Sequence, residues 1–272
     1  MPRHVLCIGA HPDDCEGSIG GTAALLRARG DVVRFVSVTD GSKGHFAEEY
    51  MADPDALVRR RHEEAQAAAA VIGAEYECMG IPDGEVFVTL AATEGMVRVL
   101  RSFGEPGQGP DLVLLNRPND YHRDHRYTAR LVLDASYMLT VPLMCPDTPA
   151  LRRMPVFAYW HDAFTEGGAF RADVAVSIDA VIEQKVRMIC AHRSQFFEWI
   201  PYNAGTHSAL AGFPSDPAEQ WERVAGWWRD DAAAVARAYA ARLPAGAQYA
   251  EAFQVSEYGH RPDAGELASL IP

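Results

Sequence analysis

Short apolar runs alternate with segments of helical period through the first two-thirds of the chain. The runs at 5–10, 32–39, 75–79, 111–116, 156–160 and 174–178 read as strands, several of them apolar on both faces. Between them, Gly20-Gly21-Thr22 leads into a helix over about 22–29 that Gly30 closes. A second helix spans 59–72, with Arg59/Glu63 and Arg60/Glu64 at i,i+4 and Gly73 placed as its C-cap. Further helices are predicted near 90–102 and 125–139, and another carries Ile178, Ile182, Val186 and Ile189 at a 3.6-residue period. This alternation predicts an α/β fold whose mostly parallel sheet has helices on both faces. The stretch 198–216, with Trp199, Pro201, Tyr202, Asn203, Gly205, His207, Gly212 and Pro214, breaks the rhythm and reads as a loop capping a pocket. Asp216-Pro217 then opens a last helix, with Asp as N-cap and Pro in its first turn. Residues 1–272 read as a single domain without repeats or linkers.

Composition adds exclusions rather than a function. A formal charge of −12 argues against a nucleic-acid or anionic-membrane surface, and no apolar run is long enough to span a bilayer. The five cysteines (Cys7, Cys15, Cys78, Cys145, Cys190) form no C-x-x-C pair, so they read as reduced thiols of a cytoplasmic protein. Cys7 and Cys190 read as small core hydrophobes, whereas Cys15 follows an acidic pair and its role stays open. No secretory apolar segment precedes the strand that begins at Val5.

Two polar clusters stand directly after apolar strands. His11-Pro12-Asp13-Asp14 follows 5–10, and His122-Arg123-Asp124-His125 follows 112–115. Ligands of open α/β sheets bind beyond the carboxyl ends of the strands, so the clusters can complete one metal site. His11 and Asp14 can point the same way if the chain coils as a helix begins, leaving Asp13 beside the metal to take a proton from water. Adjacent carboxylates repel unless a cation is near. In the second cluster one histidine can ligate while the other faces substrate, with Asp124 orienting an imidazole. Two imidazoles and a carboxylate suit Zn2+, and also Fe2+, Mn2+ or Co2+. The small residues Gly17, Ser18, Gly20 and Gly21 would let a substrate approach the backbone. No G-x-G-x-x-G follows the first strand, which excludes a dinucleotide fingerprint.

Ala10-His11-Pro12-Asp13-Asp14, the Gly20-Gly21-Thr22 segment and His122-x-Asp124-His125 together resemble the PIG-L/LmbE family of zinc-dependent de-N-acetylases. Thr39-Asp40-Gly41-x-x-Gly44, Arg61-x-Glu63-Glu64-Ala65, Pro82-Asp83-Gly84 and His192-x-Ser194-Gln195 agree with it, and the resemblance covers about residues 4–197. It implies a Rossmann-like fold and an enzyme that removes an N-acetyl group from an amino sugar or sugar conjugate through zinc-activated water. The implied metal ligands are His11, Asp14 and His125, with Asp13 as general base and His122, tuned by Asp124, polarising the amide carbonyl. Arg61 and Asp83 match positions that contact the sugar. Family members commonly carry Glu directly after the acidic pair, but here Cys15 precedes Glu16. An amidase for a larger acyl group of a thiol-sugar conjugate and a non-catalytic sugar- or metal-binding member are the competing readings. The partner implied is a small amino-sugar molecule, and a homo-oligomer is compatible with the resemblance. His161-Asp162, His207 and the aromatics Trp160, Phe196, Phe197, Trp199 and Tyr202 are further pocket candidates.

Overall fold

Strands β1 (His4–Gly9), β2 (Val32–Thr39), β3 (Glu75–Ile81), β4 (Leu112–Leu115) and β5 (Val156–Trp160) run parallel in the computed structural model, which describes residues 2–204 and 213–272. Beyond β5, the sheet continues through β7 (Ala250–Gly259), antiparallel to both β5 and β6 (Val174–Ser177), giving the order β3-β2-β1-β4-β5-β7-β6. The mostly parallel sheet predicted from the sequence is thus present, with one antiparallel strand inserted near its far edge.

Alternate side chains of the central strands feed two cores, one on each face. Val5, Cys7, Leu112 and Leu114 join one cluster, and Leu6, Ile8, Val113 and Leu115 the other; all eight are fully buried. Two-sided burial explains why these strands are continuous apolar runs, each large side chain contributing roughly 1.5–3 kcal/mol. Helices α1 (Asp14–Arg29), α3 (Pro54–Ala70) and α6 (Ile182–Ala191) pack together on one face, whereas α4 (Leu90–Ser102) and α5 (Arg123–Met138) cover the other. The short α2 (Glu48–Ala52) precedes α3.

Helix α1 begins earlier than its glycines suggest. It starts at Asp14 and is broken by non-helical φ/ψ at Ile19. Immediately after the break, the Gly21 and Thr22 N–H groups donate to the Glu251 carboxylate at 3.0 and 2.7 Å. Glu251, itself paired with buried Lys185 at 2.6 Å, acts as an N-cap delivered from a distant strand. A Cβ at Gly21 would lie 2.7 Å from Ile178, so this glycine serves helix packing rather than the substrate approach expected from the sequence.

The helix opened by Asp216 and Pro217 is present as α8 (Pro217–Ala238), but it is not the last element: β7 and α9 (Ala264–Leu270) follow it. The segment read as a capping loop begins as a π-helical turn, Ser194–Trp199, continued by α7 (Ile200–Asn203). His207 lies outside the described residues. Among the described residues, no helix is long and apolar enough to cross a membrane. Cys7, Cys15 and Cys190 are all buried free thiols, and Cys15 packs within a hydrophobic core.

Candidate metal centre and active site

Strand order reverses between β1 and β4: the chain leaves β1 towards β2 and β3, then crosses back to place β4 on the other side of β1. The crevice beyond these two strand ends is where an open α/β sheet offers a binding site. His11 and Asp14 extend from the end of β1, while His122 and His125 sit at the start of α5 after β4. They line a cavity of about 550 Å³ together with Asp13, Arg61 and Asp83.

Asp14 turns back over the strand end, its Oδ2 accepting the Ala10 and His11 N–H groups at 2.7 and 2.8 Å. Such a fold-back needs glycine at position 9, where a Cβ would lie 2.6 Å from the Asp14 Cβ. His11 Nδ1 and His125 Nε2 consequently face each other at 3.1 Å, with Asp14 Oδ2 3.7 Å from the first and Asp14 Oδ1 3.5 Å from the second. Tetrahedral coordination at bonds of about 2.0–2.1 Å places ligand atoms about 3.3 Å apart. The two imidazole nitrogens stand near that spacing, Asp14 meets each of them through a different oxygen, and His122 joins His11 and His125 in a three-histidine group that could also hold an ion.

The remaining imidazole nitrogens are occupied in the manner a metal site requires. His125 Nδ1 lies 3.0 Å from Asp120 Oδ2, and His11 Nε2 lies 3.3 Å from Asp83 Oδ1 and 3.7 Å from Asp124 Oδ2. Asp83 and Asp124 are close enough to His11 to suggest a donor group of their own, but they approach its outward nitrogen. From there they can orient the His11 ring. Asp124 also accepts the Gly84 and Val86 N–H groups, tying the 82–86 turn to α5. Its carboxylate thus stands near His11, whereas the family resemblance paired it with His122.

Without an ion this cluster holds protons. Burial opposes charge on His11, but hydrogen bonds to Asp124 and Asp83 and the charge of Asp14 raise its pKa to about 9. Burial likewise opposes charge on His125, and Asp14 and Asp120 more than compensate, raising it well above the usual histidine value. For Asp14, burial is outweighed by His125 and His11, which hold the carboxyl well below its ordinary range.

His122 has a different character. It caps α5, with Nδ1 accepting the Asp124 N–H at 3.2 Å, so the ring proton resides on Nε2. Burial and the neighbouring imidazoles His11 and His125 lower its pKa, leaving a neutral N–H donor at the cavity.

Asp13 occupies the N-cap position of α1 without capping it. Its Oδ2 instead pairs with Arg61 Nη2 at 2.9 Å, and both side chains are almost fully buried. Burial raises the Asp13 pKa, Arg61 opposes that shift, and Asp14 reinforces it. Arg61 therefore holds Asp13 as well as lining the cavity, while Asp83, buried in the turn after β3, faces both His11 and the cavity. Glu16, the acid that follows Cys15, is also buried, with Oε1 3.2 Å from His192 Nε2 behind Asp13.

The aromatic candidates separate. Trp160 and Phe197 are core residues, Phe196 and Trp199 line the cavity, and Tyr202 stacks on Phe46 with ring centroids 4.0 Å apart. His161 does not reach this cavity. Asp120 and Trp228 escaped the sequence reading: Asp120 is signalled only as a carboxylate shortly before His122, and Trp228 comes from a helix distant in sequence.

Residues 6–136 match the PIG-L family, described as GlcNAc-PI de-N-acetylase. The chain is 30% identical over 215 residues to the diacetylchitobiose deacetylase of Thermococcus kodakarensis, covering 74% of each protein. Among solved structures, the N,N′-diacetylchitobiose deacetylase of Pyrococcus horikoshii superposes with a TM-score of 0.71 at 24% identity, over 93% of this chain and 83% of that one. The 4-carboxy-2-hydroxymuconate hydratase of Pseudomonas putida KT2440 superposes at 0.69 with 20% identity, over 96% and 99%. At such identities the superpositions establish the fold, and the hydratase shows that the fold alone does not choose a reaction. The family match and the Thermococcus relative do more: this chain belongs to the PIG-L family.

Proposed function

We propose that the protein is a metal-dependent hydrolase that removes an N-acetyl group from an amino sugar or sugar conjugate, releasing acetate and a free amine. One observation carries this reading: two imidazole nitrogens 3.1 Å apart, with the Asp14 carboxylate beside both, and a second buried carboxylate paired to arginine open into the same cavity. Family membership supplies the reaction class. His11, Asp14 and His125 would hold the ion, for which zinc is the proposed identity. A zinc ion in such a set supplies Lewis acidity towards the amide carbonyl and a nucleophilic water near neutral pH.

Asp13 takes the proton of the attacking water on its carboxylate, positioned by Arg61 at 2.9 Å. His122 donates its Nε2 hydrogen to the carbonyl oxygen as negative charge develops there. Asp13, now protonated, returns its proton to the leaving nitrogen. Asp83 and Arg61 contact sugar hydroxyls, and Trp199 offers an aromatic wall. The test is acetate and free-amine release from N-acetylglucosamine glycosides, with and without chelation, beside substrates bearing longer acyl chains. Chelator-sensitive acetate release is expected. Release of long acyl groups in preference to acetate would move the protein to the amidase reading, and no release from any sugar amide would refute the proposal.

A further inference from the structure

One wall of the main cavity comes from the π-helical turn Ser194–Trp199 and α7, which supply Gln195, Phe196, Trp199, Ile200 and Asn203. A π turn bonds to the fifth residue on instead of the fourth. The widened turn brings both Trp199 and Ile200, four and five positions after Gln195, to the cavity. Packing fixes the inner side of the turn, where Phe196 and Phe197 join Val186, Ile189, Val224 and Ala225 in a hydrophobic cluster. Trp199 lies outside that cluster.

The outer side is held by polar contacts. Glu198, which stands outside the cavity lining, accepts two hydrogen bonds from Arg60, from Nη1 at 2.8 Å and from Nη2 at 2.5 Å. His45 Nδ1 accepts the Ala47 N–H, so Nε2 carries the ring proton and donates it to Glu198 at 2.9 Å. Glu64, one turn along α3 from Arg60, accepts the Ser194 N–H and hydroxyl at 3.0 and 2.5 Å. Helix α3 therefore grips the π turn near both ends, and the loop after β2 grips it through His45. Beside His45, Phe46 stacks on Tyr202 with ring centroids 4.0 Å apart, and Tyr202 stacks on Trp199 at 6.0 Å.

Stability alone is a poor account of this clamp. The Arg60 and Glu198 side chains are 29% and 34% exposed, and pairs so open to solvent contribute little to folding. The hydrophobic cluster beneath already secures the turn. What the clamp adds is geometry: the loop that supplies Lys43 and Gly44 and the turn that supplies Trp199 are joined as one unit.

We propose that Glu198 is a positioning residue: clamped by Arg60 and His45, it holds the Trp199 ring where the sugar packs against it. The proposal rests on the deacetylase reading for the sugar and adds a residue, remote from the metal cluster, that governs how tightly the sugar is held.

The test measures calorimetric binding of N-acetylglucosamine to metal-loaded Asp13→Asn protein, which prevents turnover. Four versions are compared: the parent, Glu198→Ala, Trp199→Ala and the two combined. An ordered aromatic contact is worth about two- to tenfold in affinity. Glu198→Ala is expected to weaken binding by that factor and Trp199→Ala by at least as much. The combination should bind no more weakly than Trp199→Ala alone, because a residue acting through the ring then has nothing left to position. Glu198→Gln keeps the size and one acceptor oxygen, should fall between, and serves the same cycle if the alanine variant does not fold. In the active enzyme Glu198→Ala should raise KM more than it lowers kcat.

Additive losses, Glu198 variants that bind as tightly as the parent, or a parent that binds no sugar would each overturn the positioning role. Acetate release by the wild-type enzyme separates the two claims. Release with binding indifferent to Glu198 retains the deacetylase and removes the clamp, whereas Glu198-dependent binding without release retains the clamp and removes the deacetylase.

Discussion

Replacing Asp13 with asparagine separates catalysis from stability in opposite directions. The carboxylate is 8% exposed, beside a guanidinium that is 2% exposed, and their atoms are 2.9 Å apart. Asparagine keeps the shape but cannot take a proton, which typically costs about 10²–10⁴-fold in rate for a general base. The proposed ligands His11, Asp14 and His125 do not include Asp13, so the variant should retain its ion. Stability follows from linkage. Burial raises the Asp13 pKa by more than Arg61 lowers it, so the ionised carboxyl is less at home in the folded protein than in water. For a group whose folded pKa exceeds its unfolded one, ionisation destabilises the fold above the folded pKa, and the penalty vanishes below the unfolded value of about 3.9. Asparagine imitates the neutral form at every pH. Metal-free Asp13→Asn should therefore unfold at a temperature no lower than the metal-free wild type, while kcat/KM for acetate release falls by about 10²–10⁴. Calorimetry at pH 7 on chelated proteins and a coupled acetate assay on metal-loaded ones provide both readouts. A variant within tenfold of wild-type activity would remove Asp13 as the base. A clear loss of stability would mean that the Arg61 pair, not desolvation, governs this position.

Asp120→Asn removes the charged partner of His125 Nδ1 and should weaken metal affinity about 10–100-fold, read by competition with a chromogenic chelator; an unchanged affinity would make Asp120 incidental. Metal uptake should release protons, because His11 titrates near pH 9 in the metal-free protein and His125 is raised as well. Apparent affinity should rise with pH through about 9, and a flat profile from pH 6 to 9 would contradict that protonation state. The same raised His11 pKa stabilises the metal-free fold fully below about pH 6.5, a contribution lost as pH rises through about 9. Glu251→Gln leaves the buried Lys185 charge unpaired and weakens the cap on the second half of α1. A loss of about 3–5 kcal/mol is expected in urea denaturation, and a loss below 1 kcal/mol would refute the capping role.

The central strands were legible because burial on both faces leaves no room for polar residues: Val5–Ile8 and Leu112–Leu115 admit little other assignment. Once those strands were placed, both polar clusters fell at the strand ends, and the structure brings His11, Asp14, His122 and His125 into one cavity. What escaped depends on long-range partners. Gly20 and Gly21 have poor helix propensity, yet Glu251, some 230 positions away, supplies the cap from which α1 resumes after its break at Ile19. β7 hid because Glu251 sits buried in it, and a glutamate in a strand reads as a surface residue until Lys185 is known to face it. Arg60 and Glu64 pair along α3 as the spacing predicts, but Arg59 turns to Asp53 instead of Glu63. Arg61, one residue further along that helix, is buried because Asp13 awaits it.

Metal content measured alongside activity tests the central claim most directly: elemental analysis of wild type, His125→Ala and Asp13→Asn, each assayed for acetate release from N-acetylglucosamine glycosides. The account predicts one divalent ion per chain in wild type and Asp13→Asn, little or none in His125→Ala, and acetate release from wild type alone. A stoichiometric ion in His125→Ala, or acetate release that survives its loss, would contradict a metal centre built from His11, Asp14 and His125.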